Sequence, residues 1–293
     1  MTTRMLYIHA LSPIHSGTGQ SVDVIDLPVA REKVSNLPYL PGSSIKGVLR
    51  DACRPEDGAG AEARETYIDV FGPERGSEGG NAGRLWFADG RLLCLPVRSL
   101  FGSLLWVTSP FVLRRWLRDG GSGSDSDPAV PVPADEQILV GAGAGASETV
   151  GHAGKAYLED LELPVAERDA VSQLGERIGA AVFDPTWQEV FRPRFGIVAD
   201  DVFGFLAETG TEVTARIRID NESKTVADGG LWYEEAVPAE SIFACPLAAA
   251  PRSPADTLFA FVAAHLERPL QIGGNASVGC GLARFQLAPG ATS

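Results

Sequence analysis

The two ends of the chain constrain its fold more than any other feature, because both have the pattern of a β-strand. Met5 to Ala10 alternates weakly between apolar and other residues, and Gly281 to Leu287 is predicted as the last strand. Short strands predominate between them, and helices are predicted near residues 44–53, 110–117, 165–182 and 254–267. This arrangement predicts an α+β fold rather than a doubly wound parallel sheet.

The composition is that of a folded protein. The 293 residues are 44% hydrophobic and 22% charged, which argues against disorder of the whole chain. No apolar run is long enough to span a bilayer, and the N-terminal residues lack the apolar core of a signal peptide. A cytoplasmic protein without a membrane partner is therefore expected.

The four cysteines are far apart in the sequence, and none belongs to a CxxC pair or precedes a histidine at zinc spacing. Buried free thiols in a reducing compartment are expected rather than metal ligands or disulfides. The residues concerned are Cys53, Cys94, Cys245 and Cys280.

The net charge of −13 argues against a polyanion-binding protein, but the charge is unevenly distributed. Residues 1–54 carry six basic and four acidic side chains, and residues from 267 onward carry two basic and one acidic. The excess of acid lies entirely in the middle of the chain. Because screening limits exposed charges to about 8–10 Å, a polyanion site is expected at the two ends of the sequence.

A glycine-rich run at Gly141–Ala146 follows the short apolar stretch Ile138–Val140 and matches the dinucleotide-binding pattern. That pattern requires a helix whose N-terminus meets the pyrophosphate, and the residues that follow are poor helix formers. A flexible loop is the better interpretation. A dinucleotide-dependent enzyme is the alternative of a different class.

The turn from Pro41 to Gly47 places two hydroxyls and Lys46 at the start of a predicted helix, with Ser43 or Ser44 as its cap. Exposed amides and a lysine in the first turn form an anion site of the kind that phosphates use. An ordinary capped helix with a solvated lysine explains the same residues equally well.

Four further motifs each admit a structural as well as a functional interpretation. Asp26 could cap a turn, and His15 could be an ordinary loop histidine. The glycine-rich stretch Gly273–Gly281 could present amides to an anion or be a simple hairpin. Two aromatic and two acidic side chains at Trp232–Glu235 could contact bases or belong to a hairpin packed on the core.

Taken together, these motifs closely resemble the RAMP superfamily of CRISPR-associated proteins, and within it the backbone subunits of type III-B (Cmr) effector complexes. The resemblance is carried by SPIHSGTG from Ser12, IDLPVARE from Ile25, LPYLPGSSIKGVLR from Leu37, the glycine-rich C-terminal loop and LWYEEAVP from Leu231. It is strongest over residues 5–54 and 229–285.

The resemblance implies one ferredoxin-like, RRM-like RAMP domain over residues 1–293. Its palm would comprise about 1–54, 84–118 and 156–293, its thumb would lie near 220–245, and loop insertions would cover about 55–83 and 119–155. Copies would stack along a guide CRISPR RNA with other Cmr subunits, and single-stranded target RNA would be cut at regular intervals beside each thumb. A guide-binding scaffold subunit without activity is the alternative.

The resemblance also implies roles for individual residues. Asp26 matches the catalytic aspartate and would hold a weakly bound divalent ion, Mg²⁺ or Mn²⁺, making the protein a metal-dependent endoribonuclease. The RNA-binding residues would be His15, Ser43, Ser44, Lys46, Arg50, Gly273, Gly274 and Asn275. The thumb residues near the cleavage site would be Trp232, Tyr233, Glu234 and Glu235.

Overall fold

The computed structural model describes residues 1–17, 25–73, 82–120, 128–145 and 147–289. The strands in these ranges are β1 Thr3–Ala10, β2 Tyr39–Leu40, β3 Leu85–Phe87, β4 Gly90–Arg98, β5 Leu104–Thr108, β6 Ile138–Val140, β7 Lys155–Leu158, β8 Leu161–Glu167, β9 Phe195–Val198, β10 Glu212–Ile219, β11 Val226–Ala236, β12 Ile242–Ala249, β13 Leu270–Gln271 and β14 Leu282–Leu287. The helices are α1 Gly42–Ala52, α2 Ala61–Phe71, α3 Pro110–Asp119, α4 Asp169–Val182, α5 Pro185–Phe191, α6 Asp200–Thr209 and α7 Ala255–Ala263.

Most strands form one large mixed sheet. Its main path runs β13-β14-β1-β12-β4-β5-β9-β6-β8-β7, with β2 paired to β4 and β3 paired to β12. The β5–β9 and β6–β8 pairs are parallel and the others are antiparallel. The two predicted terminal strands are confirmed and are neighbours, since Ile8 pairs with Phe285.

The core lies on both faces of this sheet because the central strand β1 is buried on both sides. Leu6 and Ile8 point to the face covered by α1. On that face Gly90 has no side chain, and the Ile45 Cδ1 methyl lies 3.0 Å from the position that a Cβ on Gly90 would take. On the opposite face the indole Nε1 of Trp116 in α3 donates to the Tyr7 hydroxyl (3.1 Å).

Two segments differ from the sequence-based predictions. Residues 55–83, predicted as mainly surface loop, contain α2, whose buried side chains Tyr67, Val70 and Phe71 form an apolar face that short-range periodicity understates. The helix predicted from 165 begins only at Asp169, because Leu161–Glu167 pairs with β6 and β7 as strand β8. The low-complexity stretch near 119–133 lies partly outside the described residues.

All four cysteines are free thiols; Cys53, Cys94 and Cys245 are buried as predicted, whereas Cys280, in the glycine-rich loop, is only partly buried. Burial raises the pKa of Cys53 and of Cys245 to about 12 and raises that of Cys94 further. These three thiols are therefore unreactive core residues. Within the described residues no helix is long and apolar enough to cross a membrane.

Candidate functional site

Asp26 lies on a segment that runs beside β11. Leu27 N–H donates to the carbonyl oxygen of Tyr233 (3.1 Å), and Glu235 N–H donates to that of Leu27 (2.9 Å). In this arrangement Oδ2 of the exposed Asp26 accepts a hydrogen bond from Tyr233 N–H (2.8 Å). Oδ1 has no partner among the described residues, so the carboxylate is fixed through one oxygen and available at the other.

His15 connects β11 to the glycine-rich loop. Its Nδ1 lies 2.7 Å from the carbonyl oxygen of Glu235, and its own carbonyl oxygen accepts from Gly274 N–H (2.9 Å). Gly273 has a φ of +84°, and a Cβ there would lie 2.4 Å from the His15 carbonyl oxygen. Glycine is therefore required at 273 for this close approach, and the two motifs predicted from the sequence are in direct contact.

The Glu234 carboxylate is buried and has three donors around it. Its Oε2 accepts from Asn275 Nδ2 (2.8 Å) and Arg216 Nε (3.1 Å), and its Oε1 accepts from the indole Nε1 of Trp232 (2.8 Å). Glu234 thus joins the β10–β11 hairpin to the glycine-rich loop. Trp232, Glu234 and Asn275 hold the site together rather than projecting from it.

Glu235 points to the opposite face and is 3% exposed. Its Oε2 accepts from Val29 N–H (2.9 Å), and its Oε1 accepts from Arg31 Nη2 (2.6 Å) and Thr211 Oγ1 (2.8 Å). These bonds fix the Asp26 segment against the base of the hairpin. Neither acid of the Glu234–Glu235 pair is therefore available to solvent.

The β10–β11 hairpin forms its own two-stranded sheet. Because Ala215 pairs with Tyr233 and Ile217 with Leu231, the apolar side chains of both strands share one face. That face is exposed instead of packed on the core, as the surface-accessible side chains Val213, Ile217, Ile219, Val226, Leu231 and Tyr233 indicate. Tyr233, whose backbone N–H binds Asp26, is itself 39% exposed.

The start of α1 differs from the prediction, because neither Ser43 nor Ser44 caps it. The helix begins at Gly42, whose N–H donates to Asp89 Oδ1 (2.8 Å) in the turn between β3 and β4. A Cβ at Gly42 would lie 2.7 Å from the Ala88 carbonyl oxygen, so this turn packs directly on the helix N-terminus. A carboxylate of the protein itself already occupies part of the position predicted for an anion.

The two cations of α1 have different surroundings. Arg50 donates through Nη2 to the carbonyl oxygens of Pro73 (3.0 Å) and Gly72 (3.3 Å) at the end of α2, and its guanidinium lies over the Tyr67 ring. Burial and the charge of Arg50 lower the pKa of Lys46 from its usual value. Arg50 therefore joins two helices, whereas the half-buried Lys46 makes no hydrogen bond or ion pair with the described residues.

The glycine-rich loop after β6 is closed by side chains of the protein. Glu167 accepts from Gly143 N–H and Gly145 N–H (both 2.9 Å), and Ser172 Oγ accepts from Ala142 N–H (2.9 Å). A pyrophosphate would have to accept hydrogen bonds from these same amides, which already donate to Glu167 and Ser172. The dinucleotide alternative has no support from this geometry.

Asp26 could take part in binding a divalent ion only as a single carboxylate. No group of three or more His, Cys, Asp or Glu side chains suited to a metal occurs in the part of the chain that the structure describes. A carboxylate oxygen is a ligand that Mg²⁺ accepts while keeping several waters and substrate phosphate oxygens. Asp26 Oδ1 fits such a role.

The sequence profile of the RAMP superfamily matches residues 7–284. This chain belongs to the RAMP superfamily. It is 33% identical to the CRISPR system Cmr endoribonuclease Cmr4 of Pyrococcus furiosus over 294 residues, which covers 98% of this chain and 96% of the relative. It is 26% identical to the CRISPR system CMR subunit Cmr4 of Saccharolobus solfataricus, covering 96% and 94%.

Solved structures of RAMP proteins share the fold. Oligomeric Cmr4 from Pyrococcus furiosus superposes with a TM-score of 0.76 at 27% identity and 98% coverage of both chains. A chain of the type III-B Cmr-beta complex bound to cognate target RNA gives a TM-score of 0.74 at 20% identity, covering 98% of this chain and 97% of the other.

Four residues of this RAMP chain support the site from a distance and were not predicted from the sequence. Arg31, Thr211 and Arg216 hold the two buried glutamates, and Asp89 caps α1. Asp89 precedes Gly90, and an Asp-Gly pair is typical of a turn. This is the only local sequence pattern that marks any of these four residues. The partners of Glu234 and Glu235 carry no such signal, because they are far away in the sequence.

Proposed function

We propose that this chain is a guide-RNA-binding backbone subunit of a type III-B CRISPR ribonucleoprotein and cleaves complementary target RNA at regular intervals. The observation that carries the proposal is the exposed Asp26 carboxylate fixed on β11, in a chain similar over nearly its whole length to a protein named Cmr endoribonuclease. Its partners would be the guide, the target, further copies of itself and other Cmr subunits.

In this proposal the sheet around β1 is a ferredoxin-like palm. The order β14-β1-β12-β4, with α1 following β1 and α7 joining β12 to β14, supports a βαββαβ arrangement. The β10–β11 hairpin would be the thumb, since it forms a separate sheet with an exposed apolar face. Such a face can wedge beside a displaced base pair, and the Tyr233 ring can stack on a base.

Cleavage would use the target's own 2′-hydroxyl as the nucleophile: its oxygen would bond to the phosphorus, the bond to the 5′-oxygen of the next nucleotide would break, and the products would be a 2′,3′-cyclic phosphate and a 5′-hydroxyl protonated from water. When a displaced base aligns that hydroxyl with the adjacent phosphate, the protein mainly holds the distorted strand. Tyr233 N–H keeps Asp26 Oδ2 in place, which leaves Oδ1 either to accept the 2′-hydroxyl proton or to hold a hydrated divalent ion against the phosphate.

The guide would be held on the other side of the site. His15, Gly273, Gly274 and Asn275 form one connected loop cluster, and α1 contacts β13, the strand that leads into it. Lys46 would bind a backbone phosphate of the guide. Ser43 and Ser44 would donate hydrogen bonds to the guide beside the N-terminus of α1. Arg50 would act mainly by positioning α1, because its guanidinium binds the end of α2.

The test is Asp26→Asn in a complex reconstituted with guide RNA. The amide oxygen of Asn can still accept from Tyr233 N–H, so the segment should keep its position. The side chain, however, no longer has a carboxylate that can accept a proton. Cutting of a complementary RNA should fall by about 100-fold or more with assembly unchanged. The matched control is Asp160→Asn, at an exposed turn between β7 and β8.

Regular cutting by an assembled Asp26→Asn complex would refute the catalytic assignment. If the wild-type complex bound guide and target but never cut, the scaffold alternative would be correct. Titration of Mg²⁺ or Mn²⁺ against the cleavage rate tests the metal in the same assay, and activity unaffected by a chelator would exclude it.

A further inference from the structure

A cavity of about 350 Å³ lies on the face of the sheet opposite α1, outside the site described above. It is lined by His9 and Leu11 at the end of β1, Phe183 before α5, Trp187 in α5, Glu240 before β12 and Arg284 on β14. Small-ligand sites in proteins are typically about 300–1,000 Å³. The cavity is therefore large enough for one flat, ring-sized group.

Strand register puts the polar side chains of the cavity on one face. His9 pairs with Arg284 and Tyr7 pairs with Gln286, so all four side chains share a side of the β1–β14 ladder. The helices cover only β1 there, and Tyr7 and His9 are buried while Arg284 and Gln286 are exposed. The uncovered part of β14 forms the open wall of the cavity.

Trp187 forms an aromatic wall that is held in place. Its ring lies nearly parallel to that of Phe183, with centroids 6.3 Å apart and an interplanar angle of 23°. Its backbone N–H donates to Asp184 Oδ1 (3.1 Å), which fixes the start of α5. The indole is nevertheless 43% exposed, so it presents apolar, stacking surface to the cavity.

The polar groups of the cavity complement a nucleotide. His9 Nε2 lies 2.7 Å from Glu240 Oε2, which gives the cavity a hydrogen-bonding floor suited to the polar edge of a base. Arg284 has no hydrogen-bond or ion-pair partner among the described residues, so its guanidinium is available for a phosphate. Asp184 is already bound to backbone amides.

The cavity is continuous with the loops proposed to hold the guide. Leu11 and Ser12 donate their N–H groups to the Leu282 carbonyl oxygen (2.8 and 3.1 Å), and Gly281 N–H donates to that of Pro13 (2.8 Å). The loop carrying His15 thus begins, and the glycine-rich loop ends, beside the cavity-lining residue Leu11. A strand of RNA lying on those loops can reach the cavity with the adjacent nucleotide.

We propose that this cavity is a subsite for one unstacked base of single-stranded RNA, with the base on Trp187 and a flanking phosphate on Arg284. The proposal rests on the RNA-binding function proposed above and adds a contact on the opposite face of the sheet. A peptide strand added to the edge of β14 is the competing occupant, but an exposed indole beside an unpaired guanidinium favours a nucleotide.

The experiment measures binding of a fluorescein-labelled oligouridine of about twelve nucleotides to the full-length chain. Trp187→Leu should weaken binding about tenfold, and Trp187→Phe should restore it, because one stacked base is worth roughly that much. Arg284→Gln should reduce the magnitude of the negative slope of log affinity against log salt concentration by about 0.7. The matched controls are the exposed Trp86→Leu on β3 and Arg114→Gln on α3.

A 4-thiouridine version of the same RNA should crosslink to peptides containing Trp187 or Arg284. If Trp187→Leu and Trp86→Leu bound equally well and crosslinks mapped elsewhere, the subsite would be refuted while RNA binding stood. If the wild-type chain bound no RNA, the proposed function itself would fail. If Trp187→Leu and Arg284→Gln weakened only self-association, the cavity would belong to a protein contact and the proposal would be wrong.

Discussion

Two carboxylates, one beside β11 and one on it, have contrasting surroundings. Asp26 is exposed and accepts one hydrogen bond, from Tyr233 N–H, whereas Glu235 is 3% exposed and accepts from a guanidinium, a hydroxyl and a backbone amide. They belong to the same small region, since Glu235 N–H donates to the carbonyl oxygen of the residue after Asp26. Within the described part of the chain, one carboxylate is left with an unused oxygen and the other has none.

The contrast shows how a fold separates chemistry from support. A buried carboxylate with all its donors satisfied stabilises the structure and cannot exchange protons with a substrate without losing them. An exposed carboxylate contributes little to stability and can act on a ligand. Removing each should therefore change a different measured quantity.

The largest expected effect on folding is that of Glu235→Ala. It removes the carboxylate partner of the largely buried Arg31 guanidinium and the acceptor of the Val29 N–H, so the free energy of unfolding should fall by about 3–5 kcal/mol. Asp26→Ala removes one exposed acceptor and should lower it by about 1 kcal/mol or less. Urea denaturation of the two variants, with Glu222→Ala at the hairpin tip as control, makes the comparison; equal losses would contradict it.

A smaller effect separates the two cations of α1. Lys46→Ala should weaken guide binding and reduce the magnitude of the salt slope by about 0.7–0.9, because one phosphate contact is lost. Arg50→Ala should leave that slope nearly unchanged and lower the thermal midpoint, because Arg50 binds carbonyl oxygens of α2. Filter binding over a range of salt, together with calorimetry, distinguishes them. If the salt slope of guide binding were the same in both variants, Lys46 would not be the phosphate-binding cation of the pair.

The smallest effect concerns pH. Burial would raise the pKa of Glu32, but hydrogen bonds from Arg115 and Ser35, with the charges of Arg115 and Arg91, outweigh it and lower the pKa. A lowered folded pKa means that the stabilisation is present above the ordinary value of 4.5 and is lost as pH falls through the folded value.

Glu32→Gln should therefore reduce stability at neutral pH, and its deficit relative to the wild type should shrink below about pH 4.5. Unfolding midpoints measured between neutral and acid pH test this. A deficit that stayed constant across that range would show that the Glu32 charge is not what stabilises the wild type.

The sequence by itself determined the local features. Strand patterns at both ends, the turn at Pro41–Gly42 with the helix after it, and the motifs carrying Asp26 and His15 all lie in short stretches. Their information is contained in alternation, turn chemistry and spacing, which need no distant partner. The family was recognisable from the same short motifs.

Tertiary structure decided which of those residues are available. Asp26 and Tyr233 are 207 residues apart, and Glu235 meets Arg31 across 204. Burial and hydrogen bonding depend on which strands pair, and no local pattern states that pairing. The same long-range packing put Asp89 at the start of α1 and left Trp187 and Arg284 facing one cavity. Residue type alone could not distinguish the acid that supports the site from the acid proposed to act in it.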